Sequence, residues 1–208
     1  MDSVRSAREV NPEAGDHWVT TDPAALEAVT EAIRTSYAAF PYWEARFGVR
    51  GRAFSASDSG WLVTIAAEEP AQAYAQVRWL AGVLAARGMP TVLLDEHLLT
   101  LADALTRHCP GDESRPEVLR LAGEQLRHRR TEVIDADRAG ELAAAFDRAT
   151  AHLPGAVPNC GELIVSSVCD ERDEPAAVGA LVQWLADPER FGAGWIAAVE
   201  RTLRAAYA

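Results

Sequence analysis

A mostly α-helical fold is what this sequence predicts, and three observations predict it. Apolar residues recur at three- and four-residue steps along most of the chain. Proline and glycine fall between those runs, and almost no stretch shows the strict alternation that a half-buried strand requires. With 208 residues, 49% of them hydrophobic, the chain can fill a substantial core. The expectation is an all-α, multi-helix globular bundle.

The elements follow in order. Residues 1–16 are polar, with Pro12 and Gly15 near their end, and read as a flexible arm ahead of a single helical domain over 17–208. "TTDPAALEAVTEAIRTSYAAF" opens on Asp22-Pro23 and places Leu26, Val29, Ile33 and Tyr37 on one helical face. "RFGVRGRAFSASDSGWLVT", 46–64, breaks the style, with three arginines, three serines, an aspartate and three glycines among aromatic residues. It reads as a turn in which Asp58 caps the apolar run starting at Trp61 and Leu62. "EEPAQAYAQVRWLAGVLAARG" starts a helix at Pro70 and stops at Gly88, with Ala73, Val77, Leu80 and Leu84 in line. "TVLLDEHLLTLADALTRH" is the next, halted by Pro110 and Gly111.

"RPEVLRLAGEQLRHRR" and "DADRAGELAAAFDRATAHL" are helical, the second stopped at Pro154-Gly155. Arg127, His128, Arg129 and Arg130 read as a solvated helix end favoured by the macrodipole. "GELIVSSVCDERDE" fits a strand or a buried helix equally, and its acidic end reads as an exposed loop before the next helix. The remainder gives two helices broken at Asp187-Pro188.

One internal echo suggests a duplication. "EPAQAYAQVRWLA", 69–81, and "EPAAVGALVQWLA", 174–186, agree at eight positions in one register, including Trp79 and Trp184. Two related helical halves, about 20–105 and 115–205, would then place those tryptophans in matching environments.

Charge and cysteine content exclude several classes. A net charge of -11 opposes nucleic-acid binding, which needs a positive surface. The three cysteines, Cys109, Cys160 and Cys169, form no CxxC pair, so neither a disulfide framework nor a zinc knuckle is indicated. Without a signal-like apolar core or an 18-residue apolar run, a cytoplasmic chain with no membrane partner is expected.

The candidate site centres on the unusual stretch. Tyr42, Trp43, Arg46, Arg50, Arg52, Ser57, Asp58 and Trp61 combine aromatic walls with guanidinium forks, the makings of a site for a small acidic ligand or a partner's carboxylate. Tyr37, Phe40 and Phe47 extend the aromatic cluster, and Asp95 and Glu96 are expected as counter-charges to the arginines. Core packing explains the same aromatic residues, and the Gly48-x-x-Gly51 spacing lacks the flanking strand and Lys-Ser/Thr of a phosphate loop.

His97 stands among Leu93, Leu94, Leu98 and Leu101, where a histidine is usually a hydrogen-bonded core residue. A histidine-bearing helix following a longer helix resembles the globins and globin-like sensor domains in that respect alone. That resemblance implies haem or another tetrapyrrole, with His97 as proximal ligand. No HExxH or GxSxG pattern is present, and the acids around Cys160 and Cys169 would raise a thiol pKa. The leading expectation is a non-catalytic binding or regulatory domain. A haem sensor using His97, and an enzyme built on Arg50, Arg52, Asp58 and the acidic residues of 91–108, are the alternatives.

Overall fold

The computed structural model describes residues 4–208, which are all-α but for one short hairpin, with 71% of the chain helical. Strands β1 (Val4–Ser6) and β2 (Trp18–Thr20) pair antiparallel, with Arg5 opposite Val19, and a 3-10 turn at Ala7–Glu9 lies between them. Nine α-helices follow among the described residues. They are α1 (Pro23–Ala39), α2 (Tyr42–Ile65), α3 (Pro70–Ala85), α4 (Thr91–His108), α5 (Ser114–Thr131), α6 (Ala136–Thr150), α7 (Cys160–Asp170), α8 (Ala177–Leu185) and α9 (Ala193–Ala206). None of them is long and apolar enough to cross a membrane.

The helix starts have local causes. Asp22 Oδ1 accepts from the Ala24 N–H at 3.1 Å, and Pro23 occupies the first helical position of α1, where its missing N–H costs nothing. Asp112 Oδ1 takes the Arg115 N–H at 3.3 Å at the start of α5, and Asp135 caps α6 by accepting from the Arg138 N–H at 3.0 Å. Asn159 precedes α7 at φ 62, a conformation that asparagine tolerates better than most residues.

The chain divides into two compact units. The first comprises the described residues up to Ala39 with Trp43–Arg78 and Asp95–Glu124. Its buried residues include Ala28, Val29 and Ala32 of α1, Leu62, Val63 and Ile65 of α2, and Leu98, Leu101 and Leu105 of α4. Gly123 of α5 lies so close to α4 that a Cβ there would sit 3.4 Å from the Asp95 carbonyl oxygen.

The second unit comprises Phe40–Tyr42, Trp79–Leu94 and Gln125–Ala208. Helix α7 is its centre, touching α6, α8 and α9 and buried at every position from Cys160 to Asp170 except Glu162. A Cβ on Gly161 would fall 2.3 Å from the Ala143 carbonyl oxygen, so only glycine permits this approach of α6 and α7. Trp195 stacks on Phe191 at 4.8 Å, meets Phe146 edge-on at 5.1 Å, and donates its indole N–H to the Leu185 carbonyl at 3.0 Å.

Several expectations need correction. Residues 4–16 are not a flexible arm: Ala7 and Ala14 are buried with Val19 in a small cluster completed by Val10 and Trp61. The 46–64 stretch is not a turn but the body of α2, and Asp58 stands inside that helix rather than at its start. Two of its glycines serve close contact instead. A Cβ on Gly60 would meet Val19 Cβ at 3.1 Å, and one on Gly51 would meet Phe47 Cβ at 2.5 Å. "GELIVSSVCD" resolves as helix, its amphipathic signal weakened because every residue in it but Glu162 is buried.

The duplication also fails its own requirement. Trp79 is 63% exposed, whereas Trp184 is half-buried between the edges of Tyr42 and Phe191. Pro70 opens α3, but Pro175 lies in the turn before α8.

Candidate functional site

The arginine-rich part of α2 is organised by one residue. Gly48 adopts φ 51 and ψ -142, which kinks the helix and which a side chain would resist, although a Cβ there would meet no atom within 4 Å. Arg46 precedes this kink and Arg50 and Arg52 follow it.

Each of the three guanidiniums lies near an aromatic ring. Arg46 is 5.1 Å from the centroid of Phe47, Arg50 is 5.4 Å from Phe54, and Arg52 is 4.6 Å from Tyr37. Trp43 stacks on Tyr37 at 5.8 Å with 14° between the planes and tilts against Phe47 at 6.2 Å. The Trp43 indole nitrogen is buried without a hydrogen-bond partner, and the Tyr37 hydroxyl is 3.2 Å from Ser55 Oγ. Burial raises the Tyr37 pKa, the Ser55 contact and the Arg52 charge working against it.

Two of the arginines meet carboxylates. Arg50 Nε and Nη2 donate to Glu13 Oε2 at 2.9 and 2.6 Å, and Arg52 Nε donates to Glu44 Oε2 at 2.8 Å. Glu13 and Glu44 are thus the counter-charges of Arg50 and Arg52. Neither was visible in the sequence pattern. Glu13 is 37 residues away from Arg50, and Glu44 reaches Arg52 across eight residues and a kink, outside the usual three- or four-residue helical spacing.

The remaining candidates separate from this face. Tyr42 is a fully buried residue of the second unit, donating its hydroxyl proton to the Gly88 carbonyl and meeting Trp184 edge-on at 5.2 Å. Ser57 is buried and donates to the Phe54 carbonyl at 2.9 Å, which makes it a helix-internal hydroxyl. Trp61 packs against His17 of the hairpin, ring centroids 5.7 Å apart. Burial lowers the His17 pKa, and a hydrogen bond to the Ser57 backbone works in the opposite direction. Asp58 is half-buried and stands six residues beyond Arg52 on the same helix. Of the eight candidates, Trp43, Arg46, Arg50 and Arg52 share one locality, joined there by Tyr37.

His97 is a core residue with both ring nitrogens engaged. Ser36 Oγ lies 2.9 Å from Nδ1 and Ser59 Oγ 2.8 Å from Nε2, so α1, α2 and α4 meet at one imidazole. Burial pushes its pKa down to about 4 and keeps the ring neutral. A haem iron would have to displace one of these hydroxyls from a buried position, so the geometry gives the haem reading no support.

A second buried polar group sits in the other unit. Asp170 of α7 accepts from the Thr91 N–H at 2.8 Å and the Thr91 hydroxyl at 2.5 Å, and thereby caps the first turn of α4 from outside. Ser166 Oγ donates to Asp170 Oδ2 at 3.4 Å while accepting from the Val92 N–H at 3.2 Å. Arg130 donates to Thr91 Oγ1 at 3.2 Å, and Arg129 pairs with Asp173 at 2.7 Å, so the basic end of α5 is tied to its surroundings. Burial raises the Asp170 pKa, the Thr91 donors and the Arg130 charge opposing it.

The cysteines offer no activated thiolate. Burial raises the pKa of Cys109, of Cys160, where Asp147 adds to the effect, and of Cys169, pushed up to about 11. Comparison of the chain with protein-family models, with curated proteins and with solved structures finds no match.

Proposed function

We propose that this chain is a non-catalytic binding domain whose docking element is the kinked part of α2, and that Arg46, Arg50 and Arg52 receive carboxylates from an acidic segment of a protein partner. The observation that carries this reading is the set of three guanidiniums, each held near a ring, around a glycine kink. A ring beneath a guanidinium orients the fork and leaves its edge for carboxylate recognition.

Exposure favours a protein partner over a small molecule. Small ligands are held in concave sites that bury most of their surface. Here the Arg50 side chain is 70% exposed, and Val49 beside it is 82% exposed. An apolar residue flanked by arginines and aromatic rings has the composition of an interface core. On a chain of net charge -11, a basic spot also fixes where and in which orientation an acidic partner docks.

The test is a titration with a synthetic peptide of glutamates flanking a phenylalanine, read from the arginine side-chain N–H resonances and from tryptophan fluorescence. Wild-type protein is expected to bind in a salt-sensitive way, and the double substitution Arg50→Gln, Arg52→Gln to abolish binding with the fold intact. Unchanged binding by the double variant would refute the assignment. Benzoate, titrated in parallel, distinguishes a small acidic ligand from an extended segment.

A further inference from the structure

We infer that the docking element is held partly occupied by the chain itself: Glu13, presented by the N-terminal hairpin, stands where a partner's carboxylate would bind Arg50. This inference rests on the docking role proposed for α2 and adds a regulator to it.

The contact has the form of the recognition it would compete with. Two guanidinium donors of Arg50 converge on one oxygen of Glu13, at 2.9 and 2.6 Å. That contact holds the Glu13 carboxyl below the usual carboxylate range, so it is ionised at neutral pH. The turn delivering it is braced: Asn11, itself buried, accepts the Glu13 N–H through Oδ1 at 3.1 Å, and its carbonyl accepts the Ala14 N–H at 2.8 Å. The segment that follows that turn rests on α2, through the His17–Trp61 ring contact and through Val19 against Gly60. Glu13 is therefore positioned by a folded strap and not by chance reach of a loose arm.

The same contact is cheap to release. The side chains of Arg50 and Glu13 are 70% and 55% exposed, and exposed ion pairs are weak and screened by salt. An incoming carboxylate can replace Glu13 without unfolding the strap, since the buried cluster of Ala7, Ala14 and Val19 is independent of that carboxylate. Competition of this strength lowers partner affinity without blocking it.

The full-length chain is titrated with the same glutamate–phenylalanine peptide as wild type, Glu13→Gln, Arg50→Gln and Glu189→Gln, the last an exposed carboxylate in the second unit that controls for net charge. Glu13→Gln is expected to bind up to about fivefold tighter than wild type, the ceiling set by an exposed pair. Glu189→Gln is expected to match wild type, and the Arg50 Nε–H resonance to move in Glu13→Gln before any peptide is added. Equal affinities for Glu13→Gln and Glu189→Gln, with Arg50→Gln still impaired, would overturn self-occupancy while leaving the docking role standing. No binding by either wild type or Glu13→Gln would overturn both.

Discussion

His97 in the first unit and Asp170 in the second are both buried titratable groups, and each is held by two hydroxyl-bearing residues. Ser36 and Ser59 serve the imidazole, and Thr91 and Ser166 serve the carboxylate. Burial dominates the pKa of both, yet in opposite directions, down for the base and up for the acid. The difference lies in what each form can do. A neutral imidazole can donate at one nitrogen and accept at the other, so it joins two hydroxyls without carrying charge. A carboxylate that accepts a backbone N–H and two hydroxyls is tuned for charge, and burial works against that charge more strongly than those donors and Arg130 support it. Similar hydroxyl sets thus support a neutral joint in one unit and a strained, charge-dependent cap in the other.

The largest expected effect tests the cap. Asp170→Ala removes the acceptor of the Thr91 N–H and hydroxyl together, and is expected to lower unfolding free energy by about 3 to 4 kcal/mol in denaturant titrations at neutral pH. A loss under about 1 kcal/mol would mean that α4 does not depend on this external cap, and the two sites would no longer be comparable.

The pH dependence sharpens the contrast next. His97 has a folded pKa below its ordinary 6.5, at about 4, so its contribution is complete above 6.5 and is lost as pH falls through about 4. At about 1.4 kcal/mol per unit, the span is worth roughly 3 kcal/mol. Asp170, with its folded pKa raised, contributes in the reverse sense, fully below the ordinary aspartate range and progressively less as pH rises through its folded value. Stability measured from pH 7 to pH 4 should therefore fall less steeply in His97→Gln than in wild type. Parallel curves would show that the ring is not neutral for the reason given.

Hydroxyl deletions give the smallest changes and the finest discrimination. Ser59→Ala removes one of only two partners of a buried ring and should cost about 1 to 2 kcal/mol. Ser166→Ala removes the weakest of the Asp170 contacts, 3.4 Å long, and should cost about 1 kcal/mol or less. Reversal of that order in thermal unfolding would place the greater dependence on the carboxylate site.

Most helices were legible because each buries one stripe. Leu26, Val29 and Ile33 announce α1 by spacing alone, and the starts at Pro23 and Pro70 were readable from the chemistry of the first turn. Two helices were not. In α2 the glycines and serines looked like turn residues, but a Cβ on Gly51 would collide with Phe47 of the helix itself and one on Gly60 would press on Val19 of the hairpin. In α7 only Glu162 is exposed, so a single polar position is too little to mark a solvent face. The hairpin escaped notice because three-residue strands carry too few alternations to register. At the candidate site the arginines and their rings were readable because they are neighbours in sequence, whereas Glu13, Ser36 and Ser59 reach their partners across 37, 61 and 38 residues and leave no local trace.

Helix α7 also carries its own chemical clock. Cys160 and Cys169 are both buried on it and burial keeps their thiols protonated, whereas Cys109, at the end of α4, is half-buried. A shielded, neutral thiol reacts with an alkylating reagent only when its surroundings open, so its labelling rate counts openings and not intrinsic nucleophilicity. Because α7 contacts α6, α8 and α9, those openings amount to loss of the second unit's core. The faster modification of Cys109 supplies an internal reference, and one unmodified chain can therefore time the breathing of its own centre.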